Sequence, residues 1–319
     1  MYKVVSLFSG CGGCDQGIVG NFKFNEKKYK RLPFEVIYAL DIDQKALNTL
    51  KLNFDCENVI CGNICDISSE DIPDHDVLVG GFPCQSFSTV NPTKDPFDDR
   101  ANLYKQMVRI AKEKQPKVII AENVKGLFTL HKGKIFQRVR EAFEEAGYTL
   151  SYKLLNAANY GVPQKRERVI LVGFRKDLGI EFEFPQETTA DNWVPLSVAV
   201  PELKIEDEKY YFSEKAVQGM KNAKPNMKRG LWQKLDEPCL TVTSHLAKVS
   251  LNSRDPVLLV EPEKELYRRF TPREAARIQS FPAEFEFAGS EADAYRQIGN
   301  AVPPVLFWHI ANKVASYLG

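Results

Sequence analysis

Short apolar runs alternate with stretches of helical period through residues 1–185, and this alternation constrains the fold more than any other feature. Residues 2–8, 34–40, 59–60, 76–79, 117–121, 150–155 and 168–173 read as strands. Between them, helical spacing runs from near Cys14, through Ala46, Leu47, Leu50 and Phe54, over 102–114, and over 133–146. Strand and helix alternating in units this short predict an α/β fold with a doubly wound, mostly parallel sheet. After about Pro185 the segments become short and strand-like, interrupted by Pro, Asn and Lys, which predicts a smaller, irregular, β-rich domain. Thr271-Pro272 is a strong helix start, with Thr as N-cap and Pro at the first position. Pro304 to Leu318 is apolar on one face and is expected to pack back on the first domain. The expected division is therefore 1–185, 186–290 and a returning segment, 291–319.

Ligands of open α/β sheets gather outside the carboxyl ends of the strands, so the residues there are the first to weigh. The first strand ends in Phe8-Ser9-Gly10-Cys11-Gly12-Gly13, a turn that lets a ligand approach the backbone. It is not the dinucleotide fingerprint, because Asp15 stands where the third glycine belongs; a nucleoside without a pyrophosphate fits better. Asp41, at the end of the second strand, is placed to accept hydrogen bonds from ribose hydroxyls. The run Asp76 to Val79 stops at two glycines and Phe82-Pro83, then presents Cys84 as a nucleophile rather than as core filler. Glu122 follows another buried strand; beside apolar residues it is expected to hold its proton more tightly than usual. Gln164-Lys165-Arg166-Glu167-Arg168 sets two arginines on one face before the next strand.

Seven cysteines are an odd number and do not read as a disulfide framework. Cys11-x-x-Cys14 and Cys61-x-x-x-Cys65 have a superficial zinc spacing, but they sit in a glycine turn and at a strand end, so no metal is expected. A net charge of +1 argues neither for nor against nucleic acid, and no apolar run approaches the roughly 18–20 residues of a membrane span. With the first strand beginning at residue 2 and no secretory signal, a cytoplasmic protein is expected.

Taken together, six segments resemble the bacterial DNA (cytosine-5)-methyltransferases of type II restriction–modification systems. They are Ser9–Gly13, Gly81-Phe82-Pro83-Cys84-Gln85-Ser86-Phe87-Ser88, Glu122–Gly126, Gln164–Arg168, Arg268–Pro282 and Gln297–Pro304, in the family's order. The resemblance implies a covalent mechanism. Cys84 would add to C6 of a cytosine flipped out of duplex DNA, Glu122 would hold the N3 edge, Arg168 would contact the base carbonyl, and Arg166 would help orient the site. It implies S-adenosyl-L-methionine as cofactor, with S-adenosyl-L-homocysteine as product. Phe8, Gly10, Gly12, Gly13, Asp41, Ile42, Asn63, Ile64, Pro83, Asn300 and Ala301 would form its site. Two positions depart from the family pattern, Asn63 in place of an Asp and Ile42 in place of an aromatic, and both imply weaker cofactor binding.

Residues 85–101 would close over the flipped base, with Gln85 and Ser88 on the DNA. Within the second domain, from about 186 to 265, Arg229, Thr241, His245, Lys248 and Arg254 are candidate DNA contacts. A tRNA methyltransferase of the same fold is the rival: Cys239-Leu240-Thr241 echoes its signature, but the spaced tyrosines that should follow are absent. A redox protein using Cys11 and Cys14 would leave Cys84, Glu122 and Arg168 unexplained. Double-stranded DNA is the expected partner, with a monomer, no membrane, and a cognate restriction endonuclease encoded alongside.

Overall fold

The computed structural model describes residues 1–83, 103–222, 232–249 and 255–319. Seven strands form one sheet: β1 (Tyr2–Leu7), β2 (Phe34–Asp41), β3 (Asn58–Cys61), β4 (Val77–Gly80), β5 (Val118–Val124), β6 (Tyr148–Asn156) and β7 (Glu167–Arg175). Their spatial order is β3-β2-β1-β4-β5-β7-β6. The first five are mutually parallel, and β7 runs antiparallel between β5 and β6. Chain order reverses beside β1, because β2 lies on one side of it and β4 on the other. That switch opens a crevice at the carboxyl rim of the sheet.

The inner strands β1, β4, β5 and β7 are largely buried on both faces, so their apolar residues run continuously and sort by a period of two. Val4, Val77, Val79, Val118 and Ile120 face one core; Val5, Leu78 and Ile119 face the other. Helices α1 (Gly13–Val19) and α8 (Pro304–Leu318) cover the first face through Ile18, Phe307, Ile310 and Val314. Helices α3 (Tyr104–Lys114) and α4 (Lys134–Glu145) cover the second through Met107, Ile110, Val139 and Phe143. The last helix therefore packs on the main sheet. Helix α2 (Gln44–Asn53) starts on Asp43, whose carboxylate caps the N–H groups of Lys45 and Ala46.

A third core runs from Leu196 to Ile298 and takes in Cys239, Val242, Leu258, Phe270, Phe281 and Tyr295. It includes helices α6 (Pro272–Ile278) and α7 (Glu291–Asn300). Thr271 caps α6 in a reciprocal box with Glu274. Glu274 also pairs in two places with Arg268, at 2.6 and 2.8 Å, and that arginine is wholly buried. Arg268 further donates to the carbonyls of Leu203 and Glu202, so one cation organises three segments of this region. Helix α5 (Glu214–Lys221) was not predicted: only Val217 of its residues is buried, too few to mark a period. Among the described residues no helix is long and apolar enough to cross a membrane.

Helices α1 and α8 each carry a buried titratable group, Asp15 and His309. Burial lowers His309 to about 4 from an ordinary 6.5, and its ring packs among Tyr29, Tyr160 and Trp308. Burial raises Asp15 to about 6 from 3.8. As pH falls from 6.5 towards 4, the unfolded state protonates the histidine first, so stability is lost. Over much of the same range the folded state holds a proton on Asp15 that the unfolded state releases, so stability is gained. The two slopes oppose. His309→Phe removes one of them, and between pH 7 and 4.5 this variant should gain on wild type by about 2–3 kcal/mol in urea unfolding.

Candidate active site

The crevice at the switch point is a cavity of about 570 Å³. Its walls come from strand ends brought together by the sheet. They are Phe8 to Cys11 after β1, Asp41 to Asp43 after β2, Gly62 to Ile64 after β3, and Gly81 to Pro83 after β4. Glu122 to Val124 close β5, and Arg166 and Arg168 lie at the start of β7. Arg296, Gln297 and residues 299–302 close it from the C-terminal segment.

Each glycine of the first turn has its own reason. Gly10 has φ +55 and nothing within 4 Å of where a Cβ would sit, so it leaves backbone open to the cavity. A Cβ on Gly13 would meet the Val302 carbonyl at 2.5 Å, and one on Gly12, at φ +92, would meet the Phe54 ring at 2.6 Å. Gly12 is the one expected cofactor residue that does not line the cavity: it lets Phe54 close behind the turn. Asp41 fixes the turn to β2, accepting from the N–H of Gly10 at 2.8 Å and of Asp43 at 2.9 Å. Burial raises its pKa. Ile42 stands at the mouth, 74% exposed, an apolar face waiting for a planar group. Asn63 accepts from the Cys65 N–H at 3.1 Å, so its oxygen already caps a turn and its amide nitrogen remains available.

Glu122 is not surrounded by apolar side chains alone. Arg168 Nε donates to its Oε1 at 2.8 Å, and both side chains are mostly buried. Its other oxygen lies 3.0 Å from where a Cβ of Gly81 would be, which explains a glycine there. Burial lowers the pKa of Arg168, and Glu122 opposes that shift. Arg166 is different. It is 2% exposed, and it donates to the carbonyls of Val242 (3.0 Å), Gly299 and Ala301 (both 2.9 Å). It anchors the back wall of the cavity to the third core.

The segment around residues 239–241 is tied to the same place. Lys165 and Leu240 pair in a short parallel ladder, and Thr241 donates its hydroxyl to the Lys165 carbonyl. Thr241 therefore supports the chain path, whereas His245 and Lys248 are exposed. Cys84, Gln85, Ser88, Arg229 and Arg254 lie outside the described residues, as does the segment 85–101.

Several site residues were not singled out from the sequence. Buried Asn123 donates to the Phe82 carbonyl at 2.9 Å, holding the chain just before Cys84. Gln164 accepts from the Val242 N–H and donates to Gln279. A Cβ on Gly299 would meet the backbone of Thr243 and Ser244 at 2.2 Å, so α7 is pressed against that stretch of chain. Their only signal was position inside motifs already quoted, such as Gln164 ahead of Arg166.

The family model for C-5 cytosine-specific DNA methylase matches residues 2–316. The chain belongs to that family. The methyltransferase is 34% identical to the type II methyltransferase M.FnuDI of Fusobacterium nucleatum, over 99% of this chain and 95% of the relative. It is 36% identical to M.NgoFVII of Neisseria gonorrhoeae, over 95% and 83%. Among solved structures, a Spodoptera frugiperda DNMT2 variant superposes with a TM-score of 0.76 at 20% identity, covering 98% of this chain and 99% of that one. That likeness concerns the fold alone. The enzyme transfers a methyl group to C5 of cytosine in DNA and uses S-adenosylmethionine.

Two thiols of the glycine turn are disfavoured as thiolates by burial. Burial pushes Cys11 up to about 12 and Cys14 well above its ordinary value, and both are free. Among the described residues no cluster could hold a metal ion. In the native protein at pH 8, iodoacetamide should label exposed Cys61 and Cys65 and leave Cys11 unlabelled, read by peptide mass spectrometry. Labelling of Cys11 at a comparable rate would contradict its burial.

Proposed function

We propose that the switch-point cavity holds the cofactor and the flipped cytosine side by side, and that Cys84, Glu122 and Arg168 carry the chemistry. The observation that supports this reading is the convergence of the open glycine turn, Asp41, Pro83 and the Glu122–Arg168 pair on one cavity. The cavity suits S-adenosylmethionine. It offers bare backbone at Gly10 and a carboxylate at Asp41 for ribose hydroxyls. Apolar surface at Phe8, Ile42 and Ile64 takes the adenine, with Asn63 beside it and Pro83, Gly13, Asn300 and Ala301 around the remainder. When bound, the cofactor supplies the methyl group as a sulfonium-activated electrophile.

The chain's own residues prepare the base. The Cys84 thiolate adds to cytosine C6, which breaks the ring conjugation and turns C5 into an enamine-like nucleophile. Glu122 binds the N3 and amino edge and holds a proton at N3 as the adduct forms. Arg168, braced by Glu122, binds the base carbonyl, and Arg166 keeps this wall in place. After transfer the C5 proton leaves to a base and the electron pair expels Cys84 as thiolate.

Residues 1–185 form the catalytic and cofactor-binding domain on this reading. Residues 186–290 read the DNA, and 291–319 return to complete the cofactor site. Gln85, Ser88, Arg229, His245, Lys248 and Arg254 contact DNA, with Thr241 supporting them from Lys165. The enzyme acts as a cytoplasmic monomer on double-stranded DNA, protecting one short word against a cognate restriction endonuclease.

Expression in a host without cytosine methylation, followed by bisulfite sequencing, tests the reading. Protected cytosines should fall in one short recurring word. Cys84→Ser should lower turnover by at least about 10³-fold while cofactor affinity stays near wild type. Retained turnover would reject Cys84 as nucleophile. Asn63→Asp keeps the cap on Cys65 and adds a second acceptor, so it should tighten cofactor binding about two- to tenfold by calorimetry.

A further inference from the structure

The cofactor cavity has two walls that belong to different parts of the chain, and an ion pair spans its mouth. On one side Asp43 follows Asp41 and Ile42 at the end of β2; on the other Arg296 projects from α7. Arg296 Nη2 lies 3.0 Å from Asp43 Oδ2, and both residues line the cavity. The arginine is held from behind as well, 3.2 Å from Asp293, which Lys45 of α2 pairs at 2.9 Å. Asp293 is fixed by its own capping bonds to Ser290. Two cations and two carboxylates thus alternate between the start of α2 and α7. Deeper in, Thr49 of α2 donates to Gln297 Oε1 at 2.6 Å.

The Arg296–Asp43 contact is not needed to start α2. Asp43 Oδ1 caps the helix, at 3.0 Å from the Lys45 N–H, and only the opposite oxygen, Oδ2, meets Arg296. Nor is it needed to hold α7, which is tied to the third core through Tyr295 and Ile298 and to Arg166 through Gly299. Its distinctive property is its place: it links the wall carrying Asp41 and Ile42 to the wall carrying Asn300 and Ala301, at a solvent-accessible rim.

We propose that Arg296 and Asp43 form a clasp across the mouth of the cofactor cavity, and that the clasp sets how tightly and how long S-adenosylmethionine is held. The inference rests on the placement of the cofactor in this cavity. Both are positioning residues. A cofactor seated between the walls is retained by their closure, and the pair favours the closed arrangement at little cost to entry, since an exposed pair is weak enough to open. Lys45 and Asp293 hold the arginine in register, so less side-chain freedom is lost when it meets Asp43.

Asp43→Asn keeps the helix cap and removes the charge; Arg296→Gln removes the other partner. Each should raise the dissociation constant for S-adenosylmethionine about two- to fivefold, chiefly through faster release in stopped-flow measurements. The loss should fall on KM for the cofactor, with KM for DNA unmoved. The double variant should bind no more weakly than the worse single variant, because both remove one interaction. Additive losses, or no change in release rate, would overturn the clasp. Asp41→Asn separates this failure from failure of the site itself. If Asp41→Asn weakens binding while the clasp variants do not, only the clasp falls. If Asp41→Asn also has no effect, the cofactor placement is wrong and the clasp falls with it.

Discussion

A guanidinium buried to 2% exposure has to find acceptors, and the way Arg166 finds them assembles the active site. Its three partners are main-chain carbonyls that lie 76, 133 and 135 residues further along the chain. One belongs to the irregular region after Pro185 and two to the segment that closes the cavity. Desolvation lowers the pKa of Arg166, and three carbonyl dipoles offset that penalty only while all three segments are in place. The charge therefore couples the start of β7 to both later pieces of the chain. Gln164, two residues earlier and also buried, adds the Val242 N–H and Gln279 to the same junction.

The cavity this junction completes carries two carboxylates on one wall. Asp41 and Asp43 stand at the end of β2 and line it. On the proposed assignment, ribose hydroxyls are suited to this wall, whereas a doubly charged pyrophosphate would meet like charge. Asp41 serves twice, since its oxygens order the turn through Gly10 and the chain through Asp43 while it faces the cavity.

Most of the sheet was legible because its central strands are buried on both faces. Val77–Gly80 and residues 118–121 are examples, continuous apolar runs that announce themselves. The third core was less legible, since irregular chain buries Leu196, Val242 and Phe270 without a period to reveal them. The functional residues divided in the same way. Asp41 and Glu122 could be placed from strand ends alone. The anchoring of Arg166 could not, because its partners are carbonyls, which no sequence marks. The Arg296–Asp43 contact depends on two surfaces meeting only in the fold, and Gly12 reads as a ligand glycine until Phe54 is seen behind it.

The pairing of Glu122 with Arg168 also bears on how the base docks. In the free enzyme Arg168 Nε meets Glu122 Oε1 at 2.8 Å, and both side chains are largely out of water. On the proposed assignment, a base presents its carbonyl to Arg168. It presents its N3 edge to Glu122 in the same movement. The pair thus holds both side chains in register before the base arrives, and on that assignment one docked cytosine engages the two together. The adduct at C6 raises the basicity of N3 at the point where it faces Glu122, which ties recognition of the base carbonyl to recognition of its N3 edge.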